Sequence, residues 1–126
     1  MKPPAFMQTL GFTIDRADEH EAVLRMDVPD QLVTPFGTVH GGIIAALFDT
    51  GLAIAITRRL ADVDRIATHS LTVNYVAFSR DKVLFCRARV VSLRRSVAMV
   101  EGEVVAESGA LVAKALGTFA VRRHAT

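Results

Sequence analysis

The sequence predicts an α+β fold in which an antiparallel β-sheet is wrapped around one long central helix. Three observations carry that expectation. One apolar stretch, Ile43 to Ile56, is too long for an ordinary buried strand and is interrupted by a single acid, Asp49. The chain beyond it divides into four long runs of strand character. The breaks between those runs are so short that neighbours must pair antiparallel. A sheet with only one helix has to bury its apolar face on that helix, so the sheet curls round it.

At 126 residues, 51% of them hydrophobic, the chain is expected to form one domain over residues 1–126. That is enough to bury a core without disulfides or a metal. A formal charge of +2 is too small to mark a nucleic-acid partner. The basic residues are scattered apart from the pairs Arg58-Arg59, Arg94-Arg95 and Arg122-Arg123. The one cysteine, Cys86, cannot form an intrachain disulfide, which fits a reducing compartment. The opening MKPPAFMQTLGF carries no secretory pattern. The expectation is a cytoplasmic protein.

Taken in order, a helical turn is expected at Pro4–Thr9 and a first strand from Gly11 to Arg16. Between Glu21 and Val28, Ala22, Leu24, Met26 and Val28 alternate with Val23, Arg25 and Asp27, the pattern of a half-buried strand. Pro29 ends it, and Asp30–Thr38 forms a loop. The long helix spans about Gly41 to Arg59, and Arg58 and Arg59 complement the negative end of its dipole. Ala61–Arg65 is read as a polar connection. Strands follow at Thr68–Phe78, Val83–Leu93, Val97–Ala106 and Leu111–Val121. Leu84, Cys86, Ala88 and Val90 share one face of their strand, and Glu101 and Glu103 share the outward face of the next.

The helix is close to 30 Å long at ~1.5 Å per residue, long enough to cross a bilayer. Two glycines at its start and a mid-span Asp argue against that, because charge at membrane depth is costly. A helix apolar nearly all round is otherwise a buried core helix. On a helical wheel, Asp49 shares a stripe with Gly42, Ala45, Ala46 and Ala53, while Ile44, Leu47 and Ile54 lie opposite. An acid enclosed in this way is a candidate base or nucleophile. A structural Asp bonded to a neighbouring strand is an equal alternative on the helix alone.

The run Gly37-Thr38-Val39-His40-Gly41-Gly42, with Asp49 nine residues beyond His40, resembles the signature of hotdog-fold acyl-CoA thioesterases. It is most similar to the phenylacetate-pathway (PaaI-like) group, related to the 4-hydroxybenzoyl-CoA thioesterases. Thr72-Val73-Asn74-Tyr75 resembles that family's strand after the helix. Gly109 to Ala115, with Gly117-Thr118-Phe119, resembles its last hairpin. The resemblance implies hydrolysis of an acyl-CoA to a carboxylic acid and CoA, with no metal or redox cofactor. It implies that the Gly41 N–H polarises the thioester carbonyl, that Asp49 is nucleophile or base, and that His40 orients loop or substrate. A helix N-terminus does offer unsatisfied N–H groups and positive potential where an oxyanion forms. Losing one such donor costs about 10²–10³ in kcat in a serine hydrolase.

Spacing makes a further demand. Gly41 and Asp49 lie eight residues apart, hence ~12 Å along one helix. Both cannot reach one reacting carbon, so the oxyanion donor of one subunit must face the acid of another. A homodimer is expected, and many relatives of this type form homotetramers. Long apolar edge strands also call for a partner.

Two positions depart from the family pattern. Thr34 stands where an Asn or Gln is common, six residues before His40. Ala53 stands where some relatives carry Ser or Thr, and Thr50 is a poor replacement. Gly42, Thr34 and Phe36 are candidate substrate contacts, while core packing is the safer assignment for Phe48. Arg94, Arg95 and Ser96 fall in a strand connection where the family often places groups near CoA phosphates; a solvated turn is an equal reading. His69 could line the pocket, but no nucleophile elbow accompanies Ser70. His20 and His124 read as surface residues, and no metal-ligand spacing is present. Two rival functions are a non-catalytic acyl-CoA-binding module and an enoyl-CoA hydratase. The hydratase fits this helix-start motif poorly.

Overall fold

In the computed structural model, which describes residues 3–124, helix α1 (Ala5–Leu10) leads into strands β1 (Phe12–Ala17) and β2 (Ala22–Asp27). A 3-10 turn at Asp30–Leu32 precedes the long helix α2 (Gly41–Arg59). Strands β3 (Val63–Tyr75), β4 (Val83–Leu93), β5 (Val97–Ala106) and β6 (Leu111–Arg123) complete the chain. All six strands form one antiparallel sheet in the order β1-β2-β4-β5-β6-β3. Helix α2 therefore carries the chain from β2 across the concave face to the far edge, where β3 pairs, among the described residues, only with β6. This is the hotdog architecture that the sequence predicts.

The apolar faces read from alternation are the ones buried. Leu84, Cys86 and Ala88 of β4 and Val100 and Val104 of β5 face the helix. Arg89 and Glu101 pair on the outer face at 3.1 Å. Leu47, Phe48, Leu52 and Ile56 of α2 are fully enclosed, each such burial stabilising by about 1.5–3 kcal/mol. Leu52 reaches the sheet where two strands carry glycine. A Cβ on Gly102 would stand 3.0 Å from Leu52 Cδ2, and one on Gly117 only 2.9 Å from Leu52 Cδ1. Those glycines let the helix sit down on the sheet.

Several expectations need correction. Strand β3 begins at Val63, so most of the supposed Ala61–Arg65 connection is strand, and it ends at Tyr75 rather than Phe78. Its start is an exposed sheet edge, where Asp64 and Arg65 can project into solvent, so polarity hid the strand. Strand β6 runs on to Arg123 to pair with it. Helix α2 is not buried all round. Its core face is enclosed, but Gly42 is exposed and Ala45, Ala46, Asp49 and Ala53 are only half-buried. By length and composition α2 could cross a membrane; here the sheet packs along it. Ile54 is also half-buried and touches both ends of the core.

Candidate active site

The loop before α2 is a small closed hairpin. Val33 bridges Val39, and the Thr34 N–H donates to the Thr38 carbonyl at 2.7 Å. Pro35 occupies the second position of a turn closed by the Gly37 N–H on the Thr34 carbonyl at 2.9 Å. Gly37 has φ 82, a value that suits glycine and strains other residues. The Thr34 hydroxyl is used within this loop. It accepts from the Phe36 N–H at 3.2 Å and shares a 3.1 Å bond with Thr38 Oγ1. Arg80 donates Nε to the Phe36 carbonyl at 3.1 Å, tying the loop to the β3–β4 connection.

The loop delivers His40 as the N-cap of α2. Its Nδ1 accepts the Gly42 N–H at 2.9 Å, which leaves its proton on Nε2. The His40 carbonyl accepts from Ile43 and Ile44. Three of the first four N–H groups of the helix are thus satisfied. The fourth, on Gly41, has no acceptor among the described residues. On its other side Gly41 is held by Tyr75, whose hydroxyl donates to the Gly41 carbonyl at 2.6 Å.

A cavity of about 620 Å³ opens against this helix start. Gly41, Gly42 and Ile44 form part of its wall, Thr34 and Phe36 approach from the loop, and Tyr75, Val76 and Phe78 come from the end of β3 and beyond. The lining is mainly apolar. Phe36 is 78% exposed and Phe78 91% exposed at its mouth, so two aromatic rings stand unburied beside an unused N–H.

Asp49 does not line this cavity. It sits two turns further along α2 on the open stripe, where Thr68 Oγ1 of β3 donates to its Oδ1 at 2.6 Å. The expectation of an enclosed acid is corrected: within one chain this carboxylate is half-buried. Thr68 faces the helix because the register of β3 on β6 shifts between Thr68 and Ser70, leaving His69 as the extra residue of a bulge.

The structure therefore brings Thr34, Phe36, Gly41 and Gly42 together at one cavity, with His40 capping the helix beside them. His69 is exposed at the bulge and is not part of the cavity wall. Arg94, Arg95 and Ser96 form the β4–β5 turn, ten residues or more along the chain from Leu84 in the cavity wall. At ~3.3 Å per residue that is about 30 Å away. Arg123 holds the turn through the Arg94 and Arg95 carbonyls. Sequence reasoning assigned no role to Tyr75 or Thr68. Alternation could have turned Tyr75 inward, but its meeting with Gly41 depends on where β3 lies. Among the described residues, no three His, Cys, Asp or Glu side chains are grouped to hold a metal ion.

Comparison with known proteins bears on the family and the fold. The family model described as the Thioesterase superfamily matches residues 36–113, which include the loop from Phe36 onward, the whole of α2, Thr68 and Tyr75. The 1,4-dihydroxy-2-naphthoyl-CoA hydrolase of Listeria monocytogenes is 21% identical over 116 residues, covering 92% of this chain and 94% of the relative. A mutant of the phenylacetic acid degradation protein PaaI from Thermus thermophilus superposes with a TM-score of 0.82 and 31% identity, covering 93% of this chain and 98% of that one. A protein from Streptococcus pneumoniae described as a hypothetical thioesterase and solved with coenzyme A has the same fold, with a TM-score of 0.81 at 20% identity over 91% and 88% of the two chains. Because the family model spans more than half of the chain, the protein is a member of the thioesterase superfamily, a hotdog-fold thioester hydrolase.

Proposed function

We propose that the protein hydrolyses an acyl-CoA with a small aromatic or medium-chain acyl group, at two equivalent sites shared between the subunits of a homodimer. The observation that carries this reading is the Gly41 N–H, left without an acceptor at the head of α2 and facing a mainly apolar cavity. A thioester carbonyl is the acceptor it lacks. As the carbonyl carbon becomes tetrahedral, negative charge gathers on its oxygen, and a fixed N–H at the positive end of a helix stabilises that charge most.

The second group must come from elsewhere. Asp49 of the same chain lies ~12 Å along the helix axis, too far to reach the same carbon. Two features favour Asp49 of the partner subunit. The helix stripe that carries the acid is made of small residues, exposed at Gly42 and half-buried beyond it, and the adjoining edge strand β3 has thirteen residues with one side unpaired among the described residues. A long open edge beside an apolar stripe is what a second copy of this chain would cover. The carboxylate then either attacks the carbonyl carbon or takes a proton from an attacking water. Collapse of the tetrahedral species breaks the C–S bond, and the CoA sulfur leaves and is protonated. Where Asp49 attacks directly, the collapse leaves a mixed anhydride on its carboxylate, which water then hydrolyses to free the acid and restore Asp49. By either route one water is consumed, and an acid and free CoA are formed.

The apolar wall, with Phe36 and Phe78 at the mouth, suits an aryl or aliphatic acyl group rather than a charged one. The chemistry calls for no cofactor, and the lone buried Cys86 suits a cytoplasmic setting. The test is thiol release across a panel of aryl- and alkyl-acyl-CoAs. Turnover that rises from acetyl- toward phenylacetyl- or octanoyl-CoA supports the reading. Tight binding of acyl-CoA with no thiol released would make the protein a binding module, and 3-hydroxyacyl-CoA formed from an enoyl-CoA would make it a hydratase.

A further inference from the structure

We infer that Tyr75 is a positioning residue for the oxyanion donor, acting through the peptide unit that joins Gly41 to Gly42. The inference rests on the reading of the Gly41 N–H as the group that meets the thioester carbonyl. Two glycines in succession open a helix with little intrinsic stiffness, because neither has a Cβ to narrow its backbone angles. The first peptide planes of such a helix would rock, and the free N–H would rock with them. An oxyanion donor is useful only when its direction is set before the charge appears.

Here the Gly41–Gly42 peptide is gripped at both ends. Its N–H donates to His40 Nδ1 at 2.9 Å, and its carbonyl accepts the Tyr75 hydroxyl at 2.6 Å. The two grips come from opposite sides of the helix start, one from the loop and one from the end of edge strand β3. Pinning this plane fixes the second torsion of Gly41. The His40 cap fixes the residue before it. The direction of the Gly41 N–H follows from the two together. The Tyr75 ring also lies against Gly41, 3.4 Å from where a Cβ would stand, so the same side chain limits sideways motion. A carbonyl in the first turn already faces the N–H four residues on, and Tyr75 takes its remaining lone pair. Both bonds point the same way along the peptide and so add to its polarisation.

Tyr75 is part of the cavity wall as well, so the test has to separate lining from positioning. Tyr75→Phe keeps the ring and deletes only the hydroxyl. Steady-state kinetics on the best acyl-CoA should show kcat lowered about 3- to 10-fold with KM kept within about twofold, the signature of an interaction made in the transition state. A thermal melt should match the wild type. Unchanged kcat, or a loss confined to KM, overturns the inference and leaves Tyr75 as a wall residue. An independent readout is the amide resonance of Gly42 in uniformly ¹⁵N-labelled protein. It should move in Tyr75→Phe by more than the scatter among residues far from the helix start, and a fixed resonance overturns the clamp. Were the wild type to hydrolyse no thioester, the functional reading would fall, and the Gly42 resonance alone would still decide whether Tyr75 holds the peptide.

Discussion

Thr68 donates its hydroxyl to Asp49 across 2.6 Å, and this bond ties the only acid of helix α2 to the edge strand β3. Seven residues further along the same strand, Tyr75 holds Gly41. The acid and the first residue of the helix are therefore both held by one strand. The bulge at His69 is what turns Thr68 toward the carboxylate.

The first prediction concerns that bond. Thr68→Val keeps the shape of the side chain and removes the donor. A hydrogen bond to a charged acceptor contributes about 1.5–3 kcal/mol, so kcat should fall roughly tenfold or more, while Thr68→Ser should keep most of the activity. Steady-state kinetics of the two variants check this. Equal activity in Thr68→Val would mean that the bond does not orient the reacting carboxylate.

Much of this arrangement was legible in the sequence, for physical reasons. The long apolar run could only be a helix, and strict alternation in β4 and β5 told which faces are buried. The motif from Gly37 to Gly42 located the helix start and the free N–H. What stayed hidden needed the third dimension. Counting back by twos from inward-facing Leu71 and Val73 points His69 toward the helix and Thr68 away from it. The bulge reverses that parity, and no residue type announced it. Tyr75 lies thirty-four residues from Gly41 in sequence, so their contact follows only from β3 lying at the far edge. The distance of Arg94, Arg95 and Ser96 from the cavity follows likewise from the direction in which β4 runs. The polar start of β3 was missed because an edge strand need not be apolar.

Burial sets a second prediction. The Cys86 thiol is fully enclosed, and loss of water pushes its pKa up from 9.0 to about 12. The folded state thus holds a proton that the unfolded chain releases near pH 9. Between about pH 9 and 12 the unfolded state binds fewer protons, so folding stability falls as pH rises. The slope should approach about 1.4 kcal/mol per pH unit from this group. Urea unfolding at stepped alkaline pH should show that slope, and Cys86→Ala should flatten it despite its own cost in packing. In the native protein near pH 8, thiol reagents should label Cys86 only as fast as the chain unfolds.

Helix seating gives a third. A Cβ on Gly117 would stand 2.8 Å from Phe119 Cε1 and 2.9 Å from Leu52 Cδ1, and both side chains are fully buried. Gly117→Ala should destabilise the fold by about 1–3 kcal/mol, the usual size for overpacking. Denaturant melts compared with wild type measure it. At Gly109 nothing lies within 4 Å of an added Cβ. Gly109→Ala should therefore bring only the local strain of a φ of 94.

In the proposed site a peptide N–H from one protomer and a carboxylate from the other converge on the same thioester. Two disabled variants test it together. Gly41→Pro removes the N–H at the first helical position, which accepts proline, and should lower kcat about 10²–10³-fold. Asp49→Ala removes the acid and should abolish turnover with the fold kept. Co-refolding the two in equal amounts gives half mixed dimers, each with one complete site of its two. Activity should return to about a quarter of the wild-type value. A mixture as inactive as its parents, with mixed dimers shown to be present, would contradict a site shared between subunits.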